Sequence, residues 1–152
     1  AIQPHMVNWL AEQVKASDHD LYYSVVEQLS MEKRYPGSRR TYVPLKGIKV
    51  CGGDLNAVRL QTALHTSSLS NKLAAARKNI IKQATLIGIN TLALLLLRQL
   101  DLHRAERLIS HRLGISGKAL LCPFPEIGMD VDKPFQYDIM LKDLTAAHAD
   151  RI

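Results

Sequence analysis

Apolar positions recur at helical spacing along most of the chain. Val7, Leu10, Ala11 and Val14 share one face of a helix that Pro4 opens and Lys15 closes. Ser17 and Asp18 offer an N-cap for a second helix. In it Leu21, Val25 and Leu29 form a broad stripe with Tyr22 and Val26 slightly off phase, and Trp9 and Tyr23 join the core or its rim. Asp54 caps a helix running to about Leu64, with Leu55, Val58, Leu60 and Ala63 inward. Ser68 caps another with Leu69, Leu73, Ala76, Ile80 and Ile81 in phase, which continues toward Leu100 with a bend near Gly88. Leu86 to Leu113 then runs from the most apolar stretch of the chain, through a polar break at Asp101 to His103, into a basic helix ended by Gly114. Ser116-Gly117 opens a turn or short helix, and Cys122 to Lys133 is a loop. Pro134 starts a last helix to about His148, docked by Tyr137, Ile139, Met140, Leu141 and Leu144.

The stretch from Glu32 to Gly53 breaks this rhythm. Pro36-Gly37 is a turn, and Thr41 to Val43 and Ile48 to Cys51 read as two short strands, with Pro44 arguing for a sheet edge. The expected architecture is therefore mainly α: one domain over residues 1–152, a compact bundle of five to seven helices with room for a short β-hairpin near residues 41–51.

Composition supports a folded chain. Hydrophobic residues make up 47% and charged residues 22%, a balance that excludes intrinsic disorder. Leucine, isoleucine and alanine dominate the apolar set, which suits helices. The net charge is +6 and the pI about 9.5, with the excess in the middle third: residues 68–118 carry nine Lys/Arg against two acids. Such a field attracts a polyanion: nucleic acid, an acidic protein face or an anionic membrane. Cys51 and Cys122 are expected as separate thiols in a reducing compartment. The apolar run Ala84 to Leu97 is shorter than the roughly 20 residues of a membrane span. No signal peptide is visible, and a cytoplasmic location is expected.

Recognisable catalytic motifs are few. The histidines are scattered, without zinc-binding spacing. Asp130 and Asp132 lack the pattern of a calcium loop, and neither cysteine sits in a nucleophile motif. His19 between Asp18 and Asp20 reads as a solvated helix start. Gly52-Gly53 lacks the lysine of a phosphate loop and reads as a turn. Lys33, Arg34, Arg39 and Arg40, with Tyr35 and Tyr42 interleaved, could form a surface for phosphates and bases, but a solvated loop with two inward tyrosines is the simpler reading. The sequence calls for no cofactor or metal and leans away from an enzyme, although a site assembled only in space stays open.

What stands out is a helix, a turn and a basic helix. In one frame Thr91 to Gln99 supports, Leu100 to His103 turns, and Arg104 to Leu113 inserts. Arg104, Arg107, His111 and Arg112 then face phosphates and base edges. In a second frame Arg104 to Leu113 supports, Gly114 turns, and the segment from Ser116, with Lys118, reads. An earlier unit, Asn56 to Lys78, places Arg77, Lys78 and Lys82 near one face. The leucine-rich helix followed by LHRAERLISHRL, Leu102 to Leu113, resembles the C subunit family of the bacterial flagellar master transcriptional activator over about 30 residues. That family's cysteine-held metal cluster has no counterpart in this chain. The resemblance implies DNA-bound transcriptional control by a small, basic bacterial protein, with duplex DNA as the partner. The alternative is a non-enzymatic helical adaptor or assembly protein that binds an acidic protein or itself as a homodimer.

Overall fold

The computed structural model describes residues 2–65 and 99–149. Their chain order is helix α1 (Pro4–Lys15), strand β1 (Leu21–Glu27), α2 (Gln28–Arg34), β2 (Val43–Pro44), β3 (Lys49–Gly52), β4 (Ala57–Val58), α3 (Leu60–His65), α4 (Leu102–Leu113), β5 (Gly117–Leu121), a 3-10 turn (Pro125–Gly128) and α5 (Pro134–Ala149). The fold is α/β, built on a mixed five-stranded sheet. This corrects the expectation of a mainly helical bundle.

The decisive element is β1. Its residues Tyr22, Val25 and Val26 fit a helical stripe, but aromatic and β-branched side chains pack well on a pleated surface. Tyr22, Ser24, Val25 and Val26 are all buried, as expected of a strand covered on both faces. On one face Tyr22 meets Leu10 of α1 and Leu120, while Val26 meets Met6, Met31 and Ile127. On the other, Val25 packs with Leu45, Val50 and Leu100, against which Leu102, Ala105 and Leu108 of α4 lie.

β1 is also the hub of the hydrogen bonding. It pairs parallel with β5 along Leu21 to Val25, and antiparallel with β4 at Leu21 and Tyr22 and with β3 from Val25 to Glu27. β2 pairs with β3 and forms the edge. The short hairpin and the edge position of Pro44 thus agree with the sequence reading. The helix expected from Asp54 to Leu64 does not form as one piece, because Ala57 and Val58 add a strand beside β1 before α3 begins. The segment after Ser116 is β5, not a helix.

Other expectations hold with adjustments. α1 has the expected bounds, but Met6 and Leu10 are its buried positions, and Val7 is exposed. α5 starts at Pro134 and docks through Ile139 and Met140, whereas Tyr137, Leu141 and Leu144 stay exposed. In α4, Asp101 accepts a hydrogen bond from the Arg104 amide at 2.8 Å, and Gly114 takes the left-handed conformation, φ 67°. The Arg104 amide also holds the Asp101 carboxyl below the usual aspartate range. Both cysteines are free and buried, so no disulfide links Cys51 to Cys122. No described helix is long and apolar enough to cross a membrane. The helices expected between residues 68 and 98, with Arg77, Lys78 and Lys82, lie outside the described residues.

Candidate active site

Three chain segments meet where β3 ends, beside the middle of β1. The first is the loop from Tyr35 to Tyr42. The second is Gly52-Gly53-Asp54, leaving β3. The third is Ile127 to Lys133, leading from the 3-10 turn into α5. Each is placed by specific bonds.

Gly53 lies where the chain passes between Ser24 and Ile127. Its amide donates to the Ser24 carbonyl at 2.8 Å, and the next amide, of Asp54, donates to the Ile127 carbonyl at 2.9 Å. Asn56 completes the corner, accepting from the Ser24 amide and donating to the Gly53 carbonyl. A Cβ on residue 53 would fall 2.8 Å from Ile127 Cγ2 and 3.2 Å from Ser24 Cβ, so glycine is required for close approach rather than for a special φ. Gly53→Ala is expected to cost about 1–3 kcal/mol, because Ile127 and the Ser24 backbone must yield. A urea titration checks this, and an unchanged midpoint would show that Ile127 relaxes freely.

The third segment is anchored by Gln136, a buried polar side chain. Its Oε1 accepts from the Asp132 and Lys133 amides, each at 3.0 Å, and its Nε2 donates to the buried Ser38 carbonyl at 3.0 Å. One glutamine thus ties the first segment to the third. Arg34 adds a second tie, reaching Glu126 at 3.4 Å and Asp143 of α5 at 2.5 Å. Tyr35 lies beneath it, fully buried, with its hydroxyl donating to Asp143. Burial, reinforced by the Asp143 and Glu126 charges, pushes the Tyr35 phenol well above its ordinary value, so it stays a neutral donor.

The groups collected by this frame are Arg40, Cys51, Asp54, Asp130 and Asp132. Arg40 is largely buried and reaches Asp130 at 3.5 Å. Its Nε is buried and finds no hydrogen-bond partner among the described residues. Burial pushes the Cys51 thiol up, and the Arg40 guanidinium beside it opposes that shift. Asp54 is also pushed above the ordinary aspartate value. Partial desolvation is the first cause, the Asp130 charge the second, and Asp132 adds to it, while Arg40 pulls the other way. Three acids therefore share essentially one guanidinium. Among the described residues, no group of three or more His, Cys, Asp or Glu side chains is placed to hold a metal ion.

The Asp54 shift has a consequence for stability. Its folded value lies above its unfolded value near 3.8, so the ionised form is disfavoured by folding. That cost is present at neutral pH and disappears as pH falls through the folded value toward the unfolded one. Asp54→Asn is expected to raise the melting midpoint at pH 7, by a small amount because the carboxyl is partly solvated, and to leave it unchanged near pH 3. Melts across that range read the crossover; a constant offset would mean that the charge is not the cause.

A second acidic cluster has a structural role. Asp20 accepts from the Ser116 amide and hydroxyl, both at 2.8 Å, and from Thr62 at 3.1 Å, with Arg59 beside it. The Ser116 bonds hold the Asp20 carboxyl below the ordinary range. These bonds join the starts of β1 and β5 to α3, which is why Asp18, His19 and Asp20 sit before a strand and not at a helix N-cap.

The basic residues singled out in the sequence are not gathered at this site. Arg104, Arg107 and His111 lie exposed on α4, and Arg112 is in the same helix. α4 is committed to the fold on its other side: Glu106 Oε1 accepts the Ala119 amide of β5 at 2.7 Å, and Leu102, Ala105 and Leu108 pack on the core. Lys118 lies on β5 and donates to Ser17 at 3.3 Å, so the second helix-turn-helix frame has a strand where its reading helix should be. Most of the first frame's supporting helix, Thr91 to Gln99, falls outside the described residues. The sequence makes Asp54 a helix cap and Asp130 a loop acid, and nothing local to either points to the other. The available signal was a repeated one: Gly52-Gly53-Asp54 and Gly128-Met129-Asp130 each place an acid just beyond a closely packed glycine.

No protein-family model matches the chain, and no curated protein matches it significantly. Among solved structures, the chain is similar to a hypothetical transferase from Thermus thermophilus, with a TM-score of 0.78 and 31% sequence identity. The match covers 87% of this chain and 56% of that one, so this chain spans little more than half of that protein's length. This similarity, on an α/β scaffold, overturns the reading as a helical DNA-binding regulator. The helical scaffold assumed for the adaptor alternative is likewise replaced by the mixed sheet.

Proposed function

We propose that this chain is part of a group-transferring enzyme. The observation that carries the reading is the 31% identity, sustained over 87% of the chain, to a protein described as a hypothetical transferase. The cluster of Arg40, Asp54 and Asp130 supports it. A strained set of charges, assembled from three segments beside two close-packed glycines, is the kind of place where perturbed carboxyls do chemistry.

The roles follow from the surroundings. Asp54, with its raised proton affinity and access to solvent, is the proton acceptor for the hydroxyl or amine that receives the group. Arg40, whose guanidinium keeps a small exposed part beside Asp130, orients a negatively charged part of a substrate. Asp130 holds Arg40 in place. Cys51, buried and with a raised pKa, is a packing residue and not the nucleophile.

The test is a thermal-shift panel on the protein with one donor from each group class: ATP, UDP-glucose, acetyl-coenzyme A and S-adenosylmethionine. A donor held in the folded state at 100 times its Kd adds about 2.7 kcal/mol, which is a rise of several degrees at this chain length. One class is expected to shift the midpoint, and Arg40→Ala is expected to remove the shift. If no class moves the midpoint, or if the shift survives Arg40→Ala, this site is not where the donor binds.

A further inference from the structure

We propose that Arg39, Lys133 and Phe135 form a subsite for a phosphate or pyrophosphate group of the substrate, beside the Arg40–Asp54–Asp130 cluster. The proposal rests on the transferase reading of that cluster and names the substrate class it would take.

Four observations converge on this place. First, two exposed cations are gathered at one ring: the Arg39 guanidinium lies 5.4 Å from the Phe135 centroid and the Lys133 ammonium 6.0 Å from it. Like charges repel, and a ring quadrupole offsets only about 0.5–1 kcal/mol at an exposed position. Second, neither cation is compensated. Among the described residues, neither Arg39 nor Lys133 forms an ion pair, whereas Arg34 and Arg40 are each paired with acids. Asp130 is engaged with Arg40, and Asp132 makes no ion pair with Lys133 among the described residues, so the outer cations are left for an anion.

Third, Arg39 has a backbone that arginine rarely adopts. Its φ of 51° is the only positive value among the non-glycine residues described. Holding such a residue in the left-handed region costs on the order of 1 kcal/mol. The neighbouring bonds enforce it, because the Ser38 carbonyl is held by buried Gln136. A glycine would relieve the strain but supply no charge. Fourth, the same Gln136 binds the Lys133 amide, so one buried side chain sets the spacing between the two cation-bearing segments. It also occupies the Asp132 and Lys133 amides at the start of α5, which leaves the side-chain cations as the anion's partners.

A phosphate or pyrophosphate fits this arrangement. It carries enough charge to balance two cations, and its oxygens accept from both the planar guanidinium and the ammonium. Arg40 follows Arg39 in the same loop and shares its surroundings with Asp54, so the remainder of the substrate would extend toward Asp54.

The experiment is a calorimetric titration of the protein with inorganic pyrophosphate and with inorganic phosphate, at matched ionic strength, with chloride as the competing anion. Pyrophosphate is expected to bind, and to bind less as sodium chloride rises. Arg39→Gly and Lys133→Ala are each expected to weaken it about tenfold, the size of one lost charge-assisted hydrogen bond. Arg104→Ala is expected to leave it unchanged. Arg39→Gly separates binding from folding, since it should raise the melting midpoint while weakening the anion. The proposal is overturned if pyrophosphate fails to bind, or if both variants bind it as the parent does. The donor panel is read separately. A donor shift lost in Arg40→Ala, without pyrophosphate binding, removes the subsite and keeps the transferase reading. Pyrophosphate binding that depends on Arg39 and Lys133, without any donor shift, keeps the subsite and removes that reading.

Discussion

Ile127→Ala is expected to lower the unfolding free energy by about 2–5 kcal/mol, the range for truncating a fully buried aliphatic side chain. Ile127 is completely buried and sits in the cluster with Met6, Val26, Met31 and Tyr35. Its Cγ2 lies beneath Gly53, and its carbonyl receives the Asp54 amide. The cavity would therefore open under the segment that carries Asp54. Urea denaturation with a constant slope would report the loss as stability alone. Loss of the Arg40-dependent donor shift in a variant that is still folded would show that Ile127 also places the acid. A midpoint within about 0.5 kcal/mol of the parent would mean that the neighbours collapse into the space, as a less tightly packed core would allow.

Gln136→Leu is expected to cost about 2–4 kcal/mol. The leucine matches the volume but leaves the buried Ser38 carbonyl without the glutamine donor, and one orphaned buried acceptor costs about 1–3 kcal/mol. The amides of Asp132 and Lys133 lose their shared acceptor, although they lie nearer to water. The functional consequence should be larger than the stability loss implies. Without Gln136 the loop bearing Arg39 and Arg40 is no longer tied to the loop bearing Asp130 and Lys133. Pyrophosphate affinity and protease sensitivity of the Tyr35–Tyr42 loop, measured on protein that still melts cooperatively, are expected to change together. An unaltered loop in a destabilised variant would limit Gln136 to a packing role.

These two residues also show where the sequence was legible. Ile127 lies between Pro125 and Gly128 in a stretch with no apolar period, so its chain position marks it only as a loop residue. Gln136 stands in the first turn of a helix whose start at Pro134 was readable, and nothing local distinguishes it from a solvent-facing glutamine. Both matter because of partners distant in sequence: Ile127 because of Gly53 and Ser24, Gln136 because of Ser38. The same holds for Arg39 and Arg40, which a local reading assigns to a solvated basic loop. Their division of labour, one arginine paired with Asp130 and one over Phe135, exists only once α5 has docked.

By itself the sequence determined the features that depend on neighbours in the chain. It placed the bounds of the first helix, the proline start of the last one, the hairpin with its proline edge, the Gly114 stop of α4, and two unlinked cysteines. Each follows from backbone restrictions or short-range hydrogen bonds that act over about four residues. Tertiary structure decided the rest. Leu21 to Glu27 carries apolar residues at spacings that suit either a helix or a doubly covered strand. It became a strand because β5, some 96 residues later, and β3 and β4 supply its hydrogen-bond partners. With that central strand, the chain changes from a helical bundle to an α/β scaffold. Asp54, Asp130 and Arg40 then meet beside it, where β3 ends, through pairing energies that no local pattern records.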